Sequence, residues 1–317
     1  MRRAVGPQAS DAILGAMRQV ALAAGGGPSW SDTVSILAAG RYLLRRDGLE
    51  DIGTLPAVTP ADLVVALGGD RALAEEAVKY LAVMTLVDGV LDHAKLARVL
   101  EYARALDIEA DYLTELVEAA SGHLGWAIAD MTRRNFDSVL GRSSEGLDSA
   151  QWILPYRGER ADPAMTARYE ALGRLPANTF GRALWEFDKT NGYPFPGHPD
   201  ALNARFGTPH DSTHVLSGYD TSPRGEILVS TFTAGMHALN PMSGHILPVI
   251  FNGHLGVKFN EVARSTTGGL DPDEFWNAWA RGAATTVDLF GDEWTVWDWV
   301  EHDIDDLRRQ FGIAPLK

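Results

Sequence analysis

Ser222-Pro223-Arg224-Gly225-Glu226-Ile227-Leu228-Val229-Ser230-Thr231-Phe232-Thr233 can be read in two ways. From Ile227 to Thr233 the stretch is rich in β-branched residues, which suit a pleated surface, so propensity alone makes it a strand. The residues just ahead argue otherwise. Ser222 before Pro223 is a helix start: a proline at the first helical position lacks only an N–H that would be unpaired there anyway, and its φ is already helical. We read a helix over 222–239 and, with it, an all-α chain.

The flanking segments agree. Helical patterns lie near 164–173, 179–190, 209–217, 272–288 and 294–311, the last with Val300, Ile304, Leu307 and Phe311 in one stripe. Upstream, from Ser10 to about Leu140, helices are punctuated by Gly25-Gly26-Gly27, Asp47-Gly48, Gly68-Gly69 and Asp88-Gly89. Thr59-Pro60-Ala61-Asp62 is a capped start, and Leu96, Val99, Leu100 and Ala103 mark a buried face. Periodicity fails between Gly141 and Pro163. The expected organisation is a helical bundle over 1–140, a linker over 141–163 and a second helical domain over 164–317, with no internal repeat.

The chain has 317 residues, 42 acidic against 28 basic, and no cysteine. Disulfides, thiolate zinc sites, iron–sulfur clusters and cysteine nucleophiles are therefore excluded. A formal charge of -14 with scattered basic residues argues against a nucleic-acid partner. At 45 % hydrophobic and 22 % charged residues, the composition is that of a folding chain. Asp11 and Arg18 interrupt the apolar stretch after Met1-Arg2-Arg3, so it does not read as a signal peptide, and the expected location is cytoplasmic.

The chemistry concentrates in Thr208-Pro209-His210-Asp211-Ser212-Thr213-His214, with Glu226 twelve positions further on. Thr208 reads as a cap and Pro209 as the first helical residue, which puts His210 and His214 one turn apart on one face. Two imidazoles at that spacing can share a metal. A turn at Ser217-Gly218-Tyr219-Asp220 would return the chain so that Glu226 faces them. Two histidines with Asp211 and Glu226 suit zinc, iron, manganese or cobalt, zinc first, and leave positions for water or substrate. The plainer alternative makes His210 a cap or packing residue and His214 a satisfied core histidine.

The H-D-x-x-H, eleven residues, E pattern resembles that of ubiquinone biosynthesis protein four, the Coq-four family. Leu175-Pro176-Ala177-Asn178-Thr179-Phe180-Gly181, Trp279-Ala280-Arg281-Gly282 and Leu307-Arg308-Arg309-Gln310-Phe311-Gly312-Ile313 resemble other family segments, in order, over about 165–317. Phe180 departs from the usual leucine, and Met236 to His254 departs from the usual continuation. The resemblance implies an all-helical fold and a divalent metal on His210, Asp211, His214 and Glu226. It also implies an apolar cavity for a prenylated aromatic acid or quinone precursor, with oxidative decarboxylation, ring hydroxylation or both. Peripheral membrane contact and a homo-oligomer fit the same picture. Leu86 to Asp92 and the helix beyond resemble the TerB-like domain of tellurite-resistance proteins. There Asp88 and Asp92 are either part of an acidic metal site or, more plainly, a helix-ending turn and an N-cap.

Two other functions compete with the metal-dependent enzyme. One is a His-Asp phosphohydrolase, which needs a further upstream histidine for which His198 lies too close. The other is a non-catalytic organiser that binds a lipid or quinone precursor. His237, His245 and His254 are candidate further ligands or proton shuttles, though each alone reads as structural. Trp276, Trp279, Trp294, Trp297 and Trp299 suit an isoprenoid pocket or, more plainly, a core. Tyr193-Pro194-Phe195-Pro196-Gly197-His198-Pro199 is a stiff loop, either a lid or a connection.

Overall fold

The computed structural model describes residues 5–145, 161–259 and 265–316. Through them run α1 (Pro7–Leu22), α2 (Trp30–Tyr42), α3 (Pro60–Leu67), α4 (Arg71–Val83), α5 (His93–Ala105), α6 (Asp111–Ala120) and α7 (Leu124–Leu140). The second half has α8 (Pro163–Ala171), α9 (Phe180–Asn191), α10 (Ala204–Ser217), α11 (Pro223–Met236), α12 (Leu247–Gly253), α13 (Pro272–Ala283) and α14 (Ile304–Phe311). A π-helix, Pro241–Ile246, joins α11 to α12. Among the described residues there is no strand, only isolated bridges between Thr179 and Asp303 and between Leu255 and Thr267. The chain is all-α.

The ambiguous stretch is helical for reasons that local propensity omits. Ser222 accepts from the Gly225 N–H, and Pro223 opens α11. The buried hydroxyls of Thr231 and Thr233 then donate back to the carbonyls of Ile227 (2.6 Å) and Val229 (3.0 Å), so neither is left unpaired. The helix lies against α13, its most extensive partner. Two glycines permit that approach: a Cβ on Gly282 would fall 1.9 Å from the Phe232 carbonyl oxygen, and one on Gly235 would fall 2.4 Å from that of Trp279. Backbone therefore touches backbone at this crossing.

The same helix, α13, carries Trp276 and Trp279, stacked at 5.6 Å and both fully buried. Tyr80 of α4 meets each ring edge-on at 5.5 Å, and α2 packs on the same helix. These two tryptophans are core. The larger apolar cluster thus draws on both sides of 141–163, joining Ile13, Met17, Ile36 and Leu81 to Ile227, Ile246, Phe251 and Trp276. A smaller cluster joins Val139 of α7 to Phe180, Leu216, Phe232, Leu307 and Phe311. Most of the expected linker, residues 146–160, lies outside the described residues.

Several boundaries differ from the sequence reading. The segment over 294–311 is not one helix: a short turn at Val296–Asp298 precedes α14, which Asp303 caps by accepting from the N–H groups of Asp305 and Asp306. The buried stripe survives the break, with Leu307 and Phe311 in the core. Near Asp88 half of the plainer reading describes the geometry: α4 ends at Val83, five residues before Asp88, while the N-cap at Asp92 is as expected. Asp92 caps α5 through the N–H groups of Ala94 and Lys95. Lys95, almost wholly buried, places Nζ 2.6 Å from both Asp32 and Asp88, so its own ammonium balances those carboxylates.

Candidate metal centre

α10 starts earlier than its sequence suggests. Asn203, not Thr208, is the N-cap, and Pro209 lies inside the helix, where it offers the Arg205 carbonyl no N–H. Thr208 is instead held sideways by the Tyr169 hydroxyl at 2.6 Å. At its other end the helix is capped from a distance. Arg281 of α13 donates to the Ser217 carbonyl at 2.7 Å, and Arg308 of α14 donates to those of Val215 (2.8 Å) and Leu216 (3.1 Å). Cationic guanidiniums at a helix C-terminus both satisfy its free carbonyls and oppose its dipole.

On this helix His210 and His214 lie one turn apart, their Nε2 atoms separated by 3.2 Å. Glu226, in the first turn of α11, reaches both: Oε2 is 3.4 Å from His210 Nε2, and Oε1 is 3.5 Å from His214 Nε2. One donor atom from each of the three lies within 4.8 Å of the others. His214 is oriented by the Tyr219 carbonyl, 3.0 Å from Nδ1. That bond places the proton on Nδ1 and leaves the Nε2 lone pair facing the centre, the way metal-ligating histidines are usually fixed. Phe187 stacks on the His214 ring at 5.3 Å and Phe206 on the His210 ring at 5.7 Å. The centre opens to one side, since the His214 side chain is 1 % exposed and the Glu226 side chain 39 %. Burial alone would raise the Glu226 carboxyl, but the two imidazoles reverse this and hold it below the ordinary carboxylate range.

Asp211 is not brought into this set. Its carboxyl is lifted well above the ordinary range by burial, then by the charges of Asp188 and Glu226. Asp188 of α9 is also buried, and burial pushes it up to about 7.

His237, His245 and His254 have partners of their own. His237 Nδ1 is 2.7 Å from Asp288, and His245 Nε2 is 2.7 Å from the Ser138 hydroxyl. Burial, then the charges of His237 and His210, pushes His245 down to about 3, so it is neutral. His254 bridges the Val87 carbonyl and the Leu270 N–H at 3.2 Å each. His198 faces solvent beside Asp200 and adds nothing to the donor set. The stiff loop begins at the rim, where Tyr193 meets Phe187 edge-on, and is pinned by a 2.8 Å bond from the Asp162 N–H to the Gly197 carbonyl.

The i, i+4 pair and Glu226 were visible in sequence. Tyr219, Phe187, Phe206, Asp188, Arg281 and Arg308 carry no local sequence signal for the places they take here. No family model matches the chain, and no curated protein or solved structure is found to be similar to it.

Proposed function

We propose that the protein is a metal-dependent enzyme whose divalent ion, zinc first, is held by His210, His214 and Glu226. The observation that carries this reading is the convergence of those three donors with His214 pre-oriented by a backbone carbonyl. Two nitrogens and one oxygen with an open side make up the donor set of a catalytic rather than a closed structural site. A divalent ion bound there polarises a carboxylate or phenolate on a substrate ring. The chain's own groups supply the rest: Phe187 and Phe206 fix the imidazole planes, Glu226 turns a partly exposed edge to the opening, and Tyr193 stands at the rim.

The substrate class follows the Coq-four resemblance: an apolar or prenylated aromatic acid or quinone precursor, decarboxylated oxidatively, ring-hydroxylated, or both. Elemental analysis of wild-type protein and His214→Ala tests the site. The wild type should retain close to one ion per chain after dialysis. The variant, with its helical circular-dichroism spectrum intact, should bind more than ~100-fold more weakly, since removing even a residue that only orients a ligand costs 10–100-fold. Equal metal content in both would remove the assignment. Protein loaded with iron or manganese, which can pass electrons to oxygen where zinc cannot, should release carbon dioxide from a prenylated 4-hydroxybenzoate in air or yield a hydroxylated ring. Phosphate release from a phosphomonoester with no change to the aromatic acid would favour the phosphohydrolase.

A further inference from the structure

Arg281 of α13 is 7 % exposed, yet among the described residues no carboxylate pairs with it. Lys95, a second buried cation, has two, each 2.6 Å away. A buried charge without a counter-charge is costly and persists only where other contacts hold it. The contacts that hold Arg281 come from four parts of the chain. Nε and Nη2 donate to the Ala314 carbonyl at 3.2 and 2.6 Å, and Nη2 also donates to that of Ser217 at 2.7 Å. The guanidinium carbon lies 4.9 Å from the centre of the Tyr219 ring and 5.6 Å from that of Phe232. Delocalised charge on a planar fork suits this mixture of carbonyls and ring faces, and the point charge of an ammonium does not.

Three of those four parts bound the metal centre. Ser217 ends α10, which carries His210 and His214; Phe232 is on α11, which carries Glu226; Tyr219 lies in the turn between them. Tyr219 is engaged at both ends. Its carbonyl is 3.0 Å from His214 Nδ1, and its ring is held by Arg281 and, edge-on at 6.4 Å, by Phe232. Gly218, at φ +85°, is the joint just ahead and has no side chain to resist rotation. The direction of the carbonyl therefore depends on what grips the ring.

We propose that Arg281 is a positioning residue of the metal centre: by gripping the Tyr219 ring it aims the carbonyl that holds the His214 proton on Nδ1. The proposal rests on the reading of His210, His214 and Glu226 as a metal centre. Released from that carbonyl, the His214 imidazole takes either tautomer, and the one protonated on Nε2 offers the centre no lone pair. Arg281 thus governs a metal donor that it does not touch.

The test uses full-length, metal-free protein with isotope-labelled histidine. The imidazole nitrogen resonances distinguish the tautomers, His214 being assigned by its absence from His214→Ala, and zinc affinity is read by competition with a chromophoric chelator. Wild type should hold its His214 proton on Nδ1. Arg281→Met and Tyr219→Leu should each populate the Nε2-protonated form and weaken zinc binding ~10-fold or more. Combining them should do no more than the stronger of the two, because both break one linkage. Arg281→Lys, which keeps the charge and loses the fork, should fall between wild type and Arg281→Met; with Tyr219→Leu it decides the matter if Arg281→Met does not fold. A general loss of stability would lower the thermal midpoint without moving the His214 nitrogens. Unchanged His214 resonances in the Arg281 variants, or additive effects in the double variant, overturn the proposal and leave the metal centre standing. If wild type binds no zinc while the tautomer shifts as expected, the metal reading falls and Arg281 keeps its hold on His214.

Discussion

Glu115 illustrates how much one buried carboxyl can set the behaviour of a helical protein. It lies on α6 at 0 % exposure, and burial pushes it up to about 8 against the opposing effects of Ser243 and Arg134. In an unfolded chain the same group titrates near ~4.3. Below that pH both states hold the proton and Glu115 contributes no pH dependence to stability. Between about 4.3 and 8 the unfolded chain releases the proton while the native state keeps it, so stability falls as pH rises, by up to about 1.4 kcal/mol per unit. Asp188 acts in the same direction, so the comparison must be made between variants. Glu115→Gln should gain stability over wild type progressively from pH 5 to pH 8, measured as urea midpoints. Parallel pH profiles would show that Arg134 neutralises the carboxylate after all. At this scale the sequence showed the converging His210, His214 and Glu226 well, because an i, i+4 spacing on a helix is a local geometric fact. It could not show Asp188 or Phe187, which belong to α9 and reach His214 and Asp211 only through folding.

At the scale of elements, what could be read depended on whether a helix end is decided locally. The start of α11 was legible because Ser222 and Pro223 carry their own capping chemistry. The start of α10 was not: it runs through Pro209, and partners from elsewhere hold it, the Tyr169 hydroxyl at Thr208 and the guanidiniums of Arg281 and Arg308 at the far end. The break before α14 was hidden for the same reason, since Asp303 also accepts from Asn178, 125 positions away in sequence. The α11–α13 crossing gives the sharpest prediction. Alanine is the better helix former, so at an exposed site Gly282→Ala would stabilise by roughly 1 kcal/mol. Here its methyl would meet the Phe232 carbonyl, and overpacking should instead cost about 3 kcal/mol or more, seen as a lowered thermal midpoint. Since α11 bears Glu226, metal affinity should drop alongside. A midpoint at or above that of wild type would mean that the two helices can part cheaply.

For the whole molecule, the packing bears on whether the C-terminal half stands alone. No described helix is long and apolar enough to cross a membrane. The apolar face of α13 is spent on α2 and Tyr80, so a fragment covering residues 160–317 would expose Trp276 and Trp279. A second helical domain over 164–317, expected from the lapse of periodicity over 141–163, would let such a fragment fold by itself. The shared core predicts instead that it is insoluble or molten, with raised dye binding and no sharp thermal transition, while the full chain is cooperative. A soluble fragment that binds metal would show that the smaller cluster is a sufficient core. Composition could not have decided this, because which helix covers an apolar face is a property of the whole chain.

The docking of α2 under α13 also sets a timetable for synthesis. Ile36 leaves the ribosome some 240 residues before Trp279, and at about 5–20 residues per second the wait is roughly 12–50 s. Throughout that interval the nascent chain presents a bare hydrophobic surface that nothing yet made can cover. The protein should therefore depend on holding chaperones during translation, and slowing elongation downstream of α2 should lower its soluble yield.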